Sequence, residues 1–302
     1  MNMIGKMKKN ARLLLRGNLA RGAAITLVLL AVAALFKGLE TVCLLVLDML
    51  GVSAMALGGE QLNSLLSMLP LVSPVSIAVT TVVLLLGFMV AAPLYLGIKR
   101  WFYLLSRGED ALMGEIFYFF AHARLFFKSI LLLLDIFLRA FFWVYILILP
   151  GALLGTTGTA LLTARLELKN GELMGTLAVI LGALLAVLGL ALGLTMALRY
   201  FLAPFLFAEN SEQSVRCAVR TSVHYMRGGQ ARLLGLLCSF LPWAAVSVLI
   251  LPALYAYPYA QSTFAIFARY TIEKGRLQGE QEDPGQAAQP DRTADENPAQ
   301  EL

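Results

Sequence analysis

Asp135 and Arg139 are the residues whose type and spacing most strongly suggest a functional site in this 302-residue chain. They lie four residues apart in an apolar run, so on a helix they share one face. A charge within bilayer hydrocarbon is costly, and such residues often mark a gate or a solute path. The alternative is a structural pair that neutralises itself and faces another helix or lipid headgroups. The sequence favours the structural pair and leaves the functional site open.

Other polar residues give weaker signs of chemistry. Lys37 and Glu40 are three residues apart, and we interpret them as the part of a helix that emerges from the bilayer. His122 and His224 have no cysteine or carboxylate cluster nearby, so we expect no metal site. The sequence has no HExxH motif and no GxxxxGK phosphate loop. We therefore predict a non-enzymatic protein without a cofactor.

The composition indicates which elements position these residues. Hydrophobic residues make up 59% of the chain and charged residues 14%, whereas soluble domains have about 25% charged residues. The mean hydropathy is +0.76. These values exclude a soluble globular enzyme, a disordered scaffold and a small disulfide-stapled domain. They predict an all-α, polytopic helical membrane protein.

The apolar runs predict about six transmembrane helices arranged as three hairpins. The last run covers residues 233–268, which carry no charge. As one helix it would be about 54 Å long, whereas the hydrocarbon core is about 30 Å thick. Pro252 and Pro258 interrupt it, so we predict two spans, with one span plus an interfacial helix as the alternative. The predicted spans are 23–50, a span within 61–98, 129–149, 173–198, 233–250 and 253–270.

The distribution of basic residues predicts the orientation of these spans. Residues 1–22, 99–128 and 199–232 contain 6, 5 and 5 basic residues, whereas 48–74 and 151–172 contain 0 and 2. Loops rich in Lys and Arg stay in the cytoplasm. We therefore predict a multi-pass protein of the cell membrane with both termini in the cytoplasm.

Three basic, amphipathic stretches each precede an apolar hairpin. Their turns centre on Gly17, His122 and Gly228, which are 105 and 106 residues apart. We interpret residues 1–272 as a membrane domain with a three-fold repeat, whose units start near residues 8, 113 and 213. Each unit would be an interfacial helix followed by a hairpin. Residues 273–302 contain eight acidic and three basic residues, and we predict a disordered cytoplasmic tail.

Several motifs resemble those of the bacterial integral-membrane family known as domain of unknown function 975. They are ARLLLRGNLARGA at 11–23, PLYLG at 93–97, RGE at 107–109, LILPG at 147–151, ALRYFLAPFLFAENS at 197–211, HYMRGGQARL at 224–233, PY at 258–259 and TFAIF at 263–267. The resemblance covers residues 8 to 272 and implies a multispan membrane protein without an assigned activity. More distantly, the chain resembles the membrane domain of some glycerophosphodiester phosphodiesterases, which implies an accessory role near lipids by analogy.

These observations predict a lipid-facing or accessory function in the membrane. The expected partners are lipids of the anionic inner leaflet, because the body of the chain is basic and apolar. Nucleic acid is not expected, because no basic stripe interleaved with aromatic residues lies outside the apolar runs. The alternative function is a small-solute transporter or channel built on Asp135 and Arg139. A membrane-embedded lipid enzyme is disfavoured by the lack of catalytic clusters in the sequence.

Overall fold

The structure is a computed structural model that describes residues 3–50, 74–163, 171–247 and 249–282. Within these ranges the secondary structure is helical, with no β-strand. The first five α-helices are α1 Met3–Arg16, α2 Leu19–Met49, α3 Pro74–Arg107, α4 Ala123–Thr163 and α5 Gly171–Ala197. The others are α6 Ala203–Glu209, α7 Val215–Tyr225, α8 Gln230–Cys238, α9 Leu241–Val246 and α10 Ile250–Glu282. Two 3-10 helices cover Met113–Phe120 and Leu198–Tyr200.

Four helical segments of the described chain are long and apolar enough to cross a membrane. The helical, membrane-type fold is therefore confirmed, whereas the predicted arrangement of six spans is not. The first part of the second predicted span, residues 61–73, lies outside the described residues. The four segments are Leu19–Met49, Ser76–Arg107, Ala123–Thr163 and Gly171–Glu209.

The third and last predicted spans differ from the helices observed. The helix α4 does not end near residue 149, because it continues through Pro150 to Thr163. The predicted break at Pro252 and Pro258 is also not observed, since both prolines belong to α10. Pro252 lies in the first turn of α10, where the missing N–H of proline has no helical partner to lose. The interruptions instead fall at residues 239–240 and before Ile250.

Each predicted turn coincides with a boundary between helices. Gly17 lies between α1 and α2, His122 directly before α4, and Gly228 between α7 and α8. The φ angle of Gly228 is 72°, a backbone conformation that favours glycine. The helical units that follow the three turns differ in length and number, and the three-fold repeat stays a prediction. The helix α10 extends to Glu282 and so includes the start of the predicted tail, while residues 283–302 lie outside the described residues.

One end of the molecule contains a packed core of large side chains, which we call the aromatic core. Trp101 and Phe102 of α3 are fully buried there, and their rings meet edge to face at 4.9 Å. The indole N–H of Trp101 donates to the carbonyl of Ala111 at 3.1 Å. The sequence predicts an interfacial helix here, whose apolar face would point outward into lipid. In the structure the apolar face of α1 is instead buried in the aromatic core. That face consists of Met7, Ala11 and Leu15.

The helices α4 and α5 form a separate hairpin, which we call the glycine hairpin. Its buried residues on α5 are four glycines: Gly175, Gly182, Gly189 and Gly193. A β-carbon added at Gly182 would lie 2.5 Å from the backbone nitrogen of Gly155 on α4. The two backbones therefore touch, as the sequence predicts for small residues in apolar helices. Most other side chains of the hairpin point outward.

Candidate functional site

Lys99 is a buried lysine in α3 that belongs to none of the motifs noted in the sequence. Its exposed fraction is 4%, and its Nζ donates to Oε1 of Gln261 on α10 at 2.8 Å. Its neighbour Arg100 instead pairs with Glu115, with 2.7 Å between Nε and Oε2. No carboxylate of the described residues lies within 4 Å of Lys99. Lys99 is thus a buried amine with one uncharged polar partner.

Aromatic rings surround Lys99 and make its burial feasible. The Nζ atom lies 4.9 Å from the ring centre of Phe205 and 5.0 Å from that of Tyr95. Phe201 and Phe264 lie at 5.9 Å and 6.0 Å. The electron-rich ring faces attract a cation and partly replace its hydration. These rings come from α3, from α6 and the turn before it, and from α10.

An apolar cavity of about 900 Å³ lies beside this lysine, between α2, α8, α9 and α10. Gln261 and Phe264, which contact Lys99, also line the cavity. This volume falls within the range typical of pockets for small ligands. Most of its lining is apolar, including Leu29, Leu30, Ala33, Leu237, Phe240, Leu241, Trp243, Ala253, Ala256 and Ala260.

Two cations of α1 lie against the aromatic residues at this cavity. Lys8 donates to the carbonyl of Ser239 at 3.1 Å, and its Nζ lies 4.5 Å from the ring centre of Phe240. Arg12 lies 5.4 Å from the ring centre of Tyr259, which contacts Phe240 in turn. Partial burial, and then the nearby Arg12, lowers the pKa of Lys8. The cavity therefore has basic residues on the α1 side and a buried lysine behind Gln261.

Asp135 and Arg139 bind each other, as their spacing predicts. The distance between Arg139 Nε and Asp135 Oδ2 is 2.8 Å, and both side chains are partly exposed. They precede the part of α4 that packs on α5, which runs from Val144 to Leu162. Close to the pair, Trp143 donates to the hydroxyl of Tyr200 at 3.2 Å. The pair thus lies next to the end of α5, where Arg199 and Tyr200 follow the uncharged residues.

Lys37 and Glu40 also form an ion pair, at 2.9 Å. Thr80 of α3 donates to the other carboxylate oxygen of Glu40 at 2.7 Å. The pair therefore belongs to a polar link between α2 and α3, which the spacing in the sequence could not reveal. This contact gives Glu40 a structural role.

The histidines lie apart from the lysine and its cavity. His122 lines a different, more polar pocket with Lys128 and Glu212, and the ring of His224 lies 5.9 Å from that of Tyr225. In the described part of the chain, no three His, Cys, Asp or Glu residues are close enough to hold a metal ion. The structure thus brings Lys99, Gln261 and the α1 cations together, and leaves the histidines outside this site.

The fold and the site define a helical protein with four candidate membrane spans and a buried lysine beside an apolar cavity. The chain belongs to the family described as protein of unknown function (DUF975), whose match covers residues 5–274. The family resemblance read from the sequence motifs is therefore confirmed. The comparisons neither support nor exclude kinship with the glycerophosphodiester phosphodiesterase membrane domain. A search of curated proteins and a search of solved structures each find no match.

Proposed function

We propose that this protein is a non-enzymatic, multi-pass protein of a bacterial cell membrane that binds an acyl lipid in an accessory role. The observation that carries the proposal is the apolar cavity beside Lys99 and the α1 cations. Apolar walls of this kind suit a hydrocarbon chain, because contact with them removes the chain from water. Cations on one side suit the anionic surface of the inner leaflet.

The proposed orientation places both termini and the aromatic core on the cytoplasmic side. It is supported by the basic residues in α1, at the end of α3, at the start of α4 and in α7. In this orientation the polar end of the cavity, at Thr26 and Gln261, faces the cytoplasm, and the end at Ala33 and Ala253 lies deeper. A lipid from the inner leaflet would enter with its headgroup toward the α1 cations.

Narrowing the deep end of the cavity tests this proposal. Ala253→Phe adds a ring to the cavity wall, whereas Ala183→Phe adds the same ring to the outward face of α5. Native mass spectrometry of the full chain, gently extracted in mild detergent, would count bound lipids. We expect the wild type and Ala183→Phe to retain lipid, and Ala253→Phe to lose most of it, because the new ring takes the place of the chain at the deep end of the cavity.

Equal lipid retention in Ala253→Phe and Ala183→Phe would reject the cavity as the lipid site. The transporter or channel alternative depends on Asp135 and Arg139, whose charged groups bind each other beside the end of α5. This arrangement supports a local structural role more than a solute path.

A further inference from the structure

We propose that the cavity selects a long-chain carboxylate, whose oxygens accept hydrogen bonds from Gln261 and Tyr257 in front of Lys99. The inference rests on the proposed function, since it names the lipid class for the same cavity. It depends on the orientation of one amide, on the free donors in the cavity and on the local excess of positive charge.

Lys99 fixes the orientation of the Gln261 amide. A lysine ammonium only donates hydrogen bonds, so the amide oxygen must face it and the NH2 group must point elsewhere. That NH2 group has no hydrogen-bond partner among the described residues, and Gln261 lines the cavity. Gln261 therefore offers only donors to a ligand.

Tyr257 provides a second donor on the same helix face. It lies four residues before Gln261, lines the cavity, and its hydroxyl bonds to no other group of the described residues. The other hydroxyls in the lining are already used, because Thr26 donates to Gly22 and Ser247 donates to Trp243. Two donors on one helix face provide one partner for each oxygen of a carboxylate.

The charge near these donors favours an anion of low charge. Lys99 has no carboxylate within 4 Å among the described residues, while Arg107, Arg269 and Arg276 all contact glutamates. Among the described cations only Lys99 contacts Gln261, because Lys8 and Arg12 of α1 lie against Phe240 and Tyr259 instead, and one amine behind the donors matches the single negative charge of a carboxylate. A phosphate monoester would bring about −1.5 to −2 charges and three oxygens, more than this site provides for.

The lining of the cavity is extended along two helices. Along α10 the lining runs from Phe264 and Gln261 to Ala253, and along α2 from Thr26 to Ala33. Gln261 and Tyr257 lie toward the Phe264 end of this lining, and the residues from there to Ala253 and Ala33 are mostly apolar. A chain with a terminal carboxylate has the same polarity along its length.

The test compares two probes of equal chain length, hexadecanoic acid and hexadecan-1-ol, on the purified full chain in detergent at neutral pH. We expect the wild type to bind the acid about tenfold more tightly than the alcohol, as a charge-assisted hydrogen bond requires. Lys99→Met keeps the length of the side chain without its charge. We expect it to remove the preference for the acid while affinity for the alcohol stays the same.

Gln261→Glu provides a second variant should Lys99→Met fail to fold. It keeps the shape but replaces the donors by a carboxylate, so acid binding should be lost and alcohol binding retained. Equal binding of acid and alcohol by the wild type would overturn the carboxylate inference and leave the lipid function standing. An equal loss of both probes in Lys99→Met would show that Lys99 only supports the fold. Binding of neither probe by the wild type would overturn the proposed function as well.

Discussion

The aromatic core and the glycine hairpin are both packed from helices and are held together in different ways. In the core, large side chains such as Trp101, Phe102 and Phe205 are fully buried. In the hairpin, glycines such as Gly182 and Gly189 are buried, and the large residues face outward. The side chains therefore hold the core together, whereas the backbones hold the hairpin together.

Because of this difference, the aromatic core has room for a site between its side chains, whereas the glycine hairpin has none between its helices. The core brings side chains from α1, α3 and α10 to one place, and so it can bury Lys99 and border a cavity. The hairpin leaves no space between α4 and α5, because their backbones are in contact along Gly151, Gly182 and Gly189. The core should thus lose stability when a large side chain is removed, whereas the hairpin should lose stability when a side chain is added at a glycine.

The largest effect is expected for Trp101→Ala in the aromatic core. Loss of a fully buried tryptophan costs about 3–5 kcal/mol, because it removes apolar contacts and leaves a cavity. Phe141→Ala in the hairpin is the matched control, since this ring is 57% exposed, stacks only on Phe137 and Tyr145 among the described residues, and should cost about 0.5–1.5 kcal/mol. Thermal unfolding in detergent micelles would measure both. Similar losses for the two variants would contradict the distinction between the regions.

The next effect is expected for Gly189→Ala in the glycine hairpin. The added methyl group would lie against the carbonyl of Leu147, so the helices must separate at a cost of about 1–3 kcal/mol. Gly38→Ala on α2 is the control, because nothing lies within 4 Å of its added methyl group. It should be neutral or stabilising by up to about 1 kcal/mol, since alanine favours helix more than glycine does. Unfolding midpoints in micelles would decide, and a stabilising Gly189→Ala would refute the backbone contact.

The smallest effect is expected for Asp135→Leu beside the hairpin. As a partly exposed pair four residues apart, Asp135 and Arg139 should contribute about 0.3–0.5 kcal/mol. An uncompensated Arg139 at the centre of a bilayer would instead cost about 2.5–3.5 kcal/mol. Comparing Asp135→Leu with the double variant Asp135→Leu/Arg139→Leu in lipid nanodiscs separates the two cases. A large loss in the single variant that the double variant restores would place the pair within the hydrocarbon.

The helical class, the glycine contacts and the helix boundaries near Gly17, His122 and Gly228 could be predicted from local sequence patterns. The prediction for α5 was also close, because its uncharged run has clear ends on both sides. The end of α4 was missed because Pro150 looked like a stop, although the apolar residues continue to Thr163. The break before α10 was predicted too late in the chain, because Pro252 and Pro258 also looked like stops although both belong to α10.

The candidate site could not be predicted from local patterns. Lys99 directly precedes Arg100 at the end of an uncharged run, as cations at a membrane boundary normally do. Its burial depends on Phe205 and Phe264, which are distant in sequence. Among the described residues its only polar partner is Gln261, which lies 162 positions away. Charge spacing alone drew attention to Asp135, whose partner is on the same helix.

The uncharged length of the glycine hairpin has a consequence for the membranes that suit this protein. Residues 140–163 of α4 carry no charge and would measure about 36 Å as a helix. That exceeds a typical hydrocarbon thickness of about 30 Å by a few ångströms. Because the two helices are locked at their glycines, they must tilt together rather than slide to adapt. The position of the hairpin in a membrane would therefore depend on bilayer thickness, and the hairpin would favour the thicker regions.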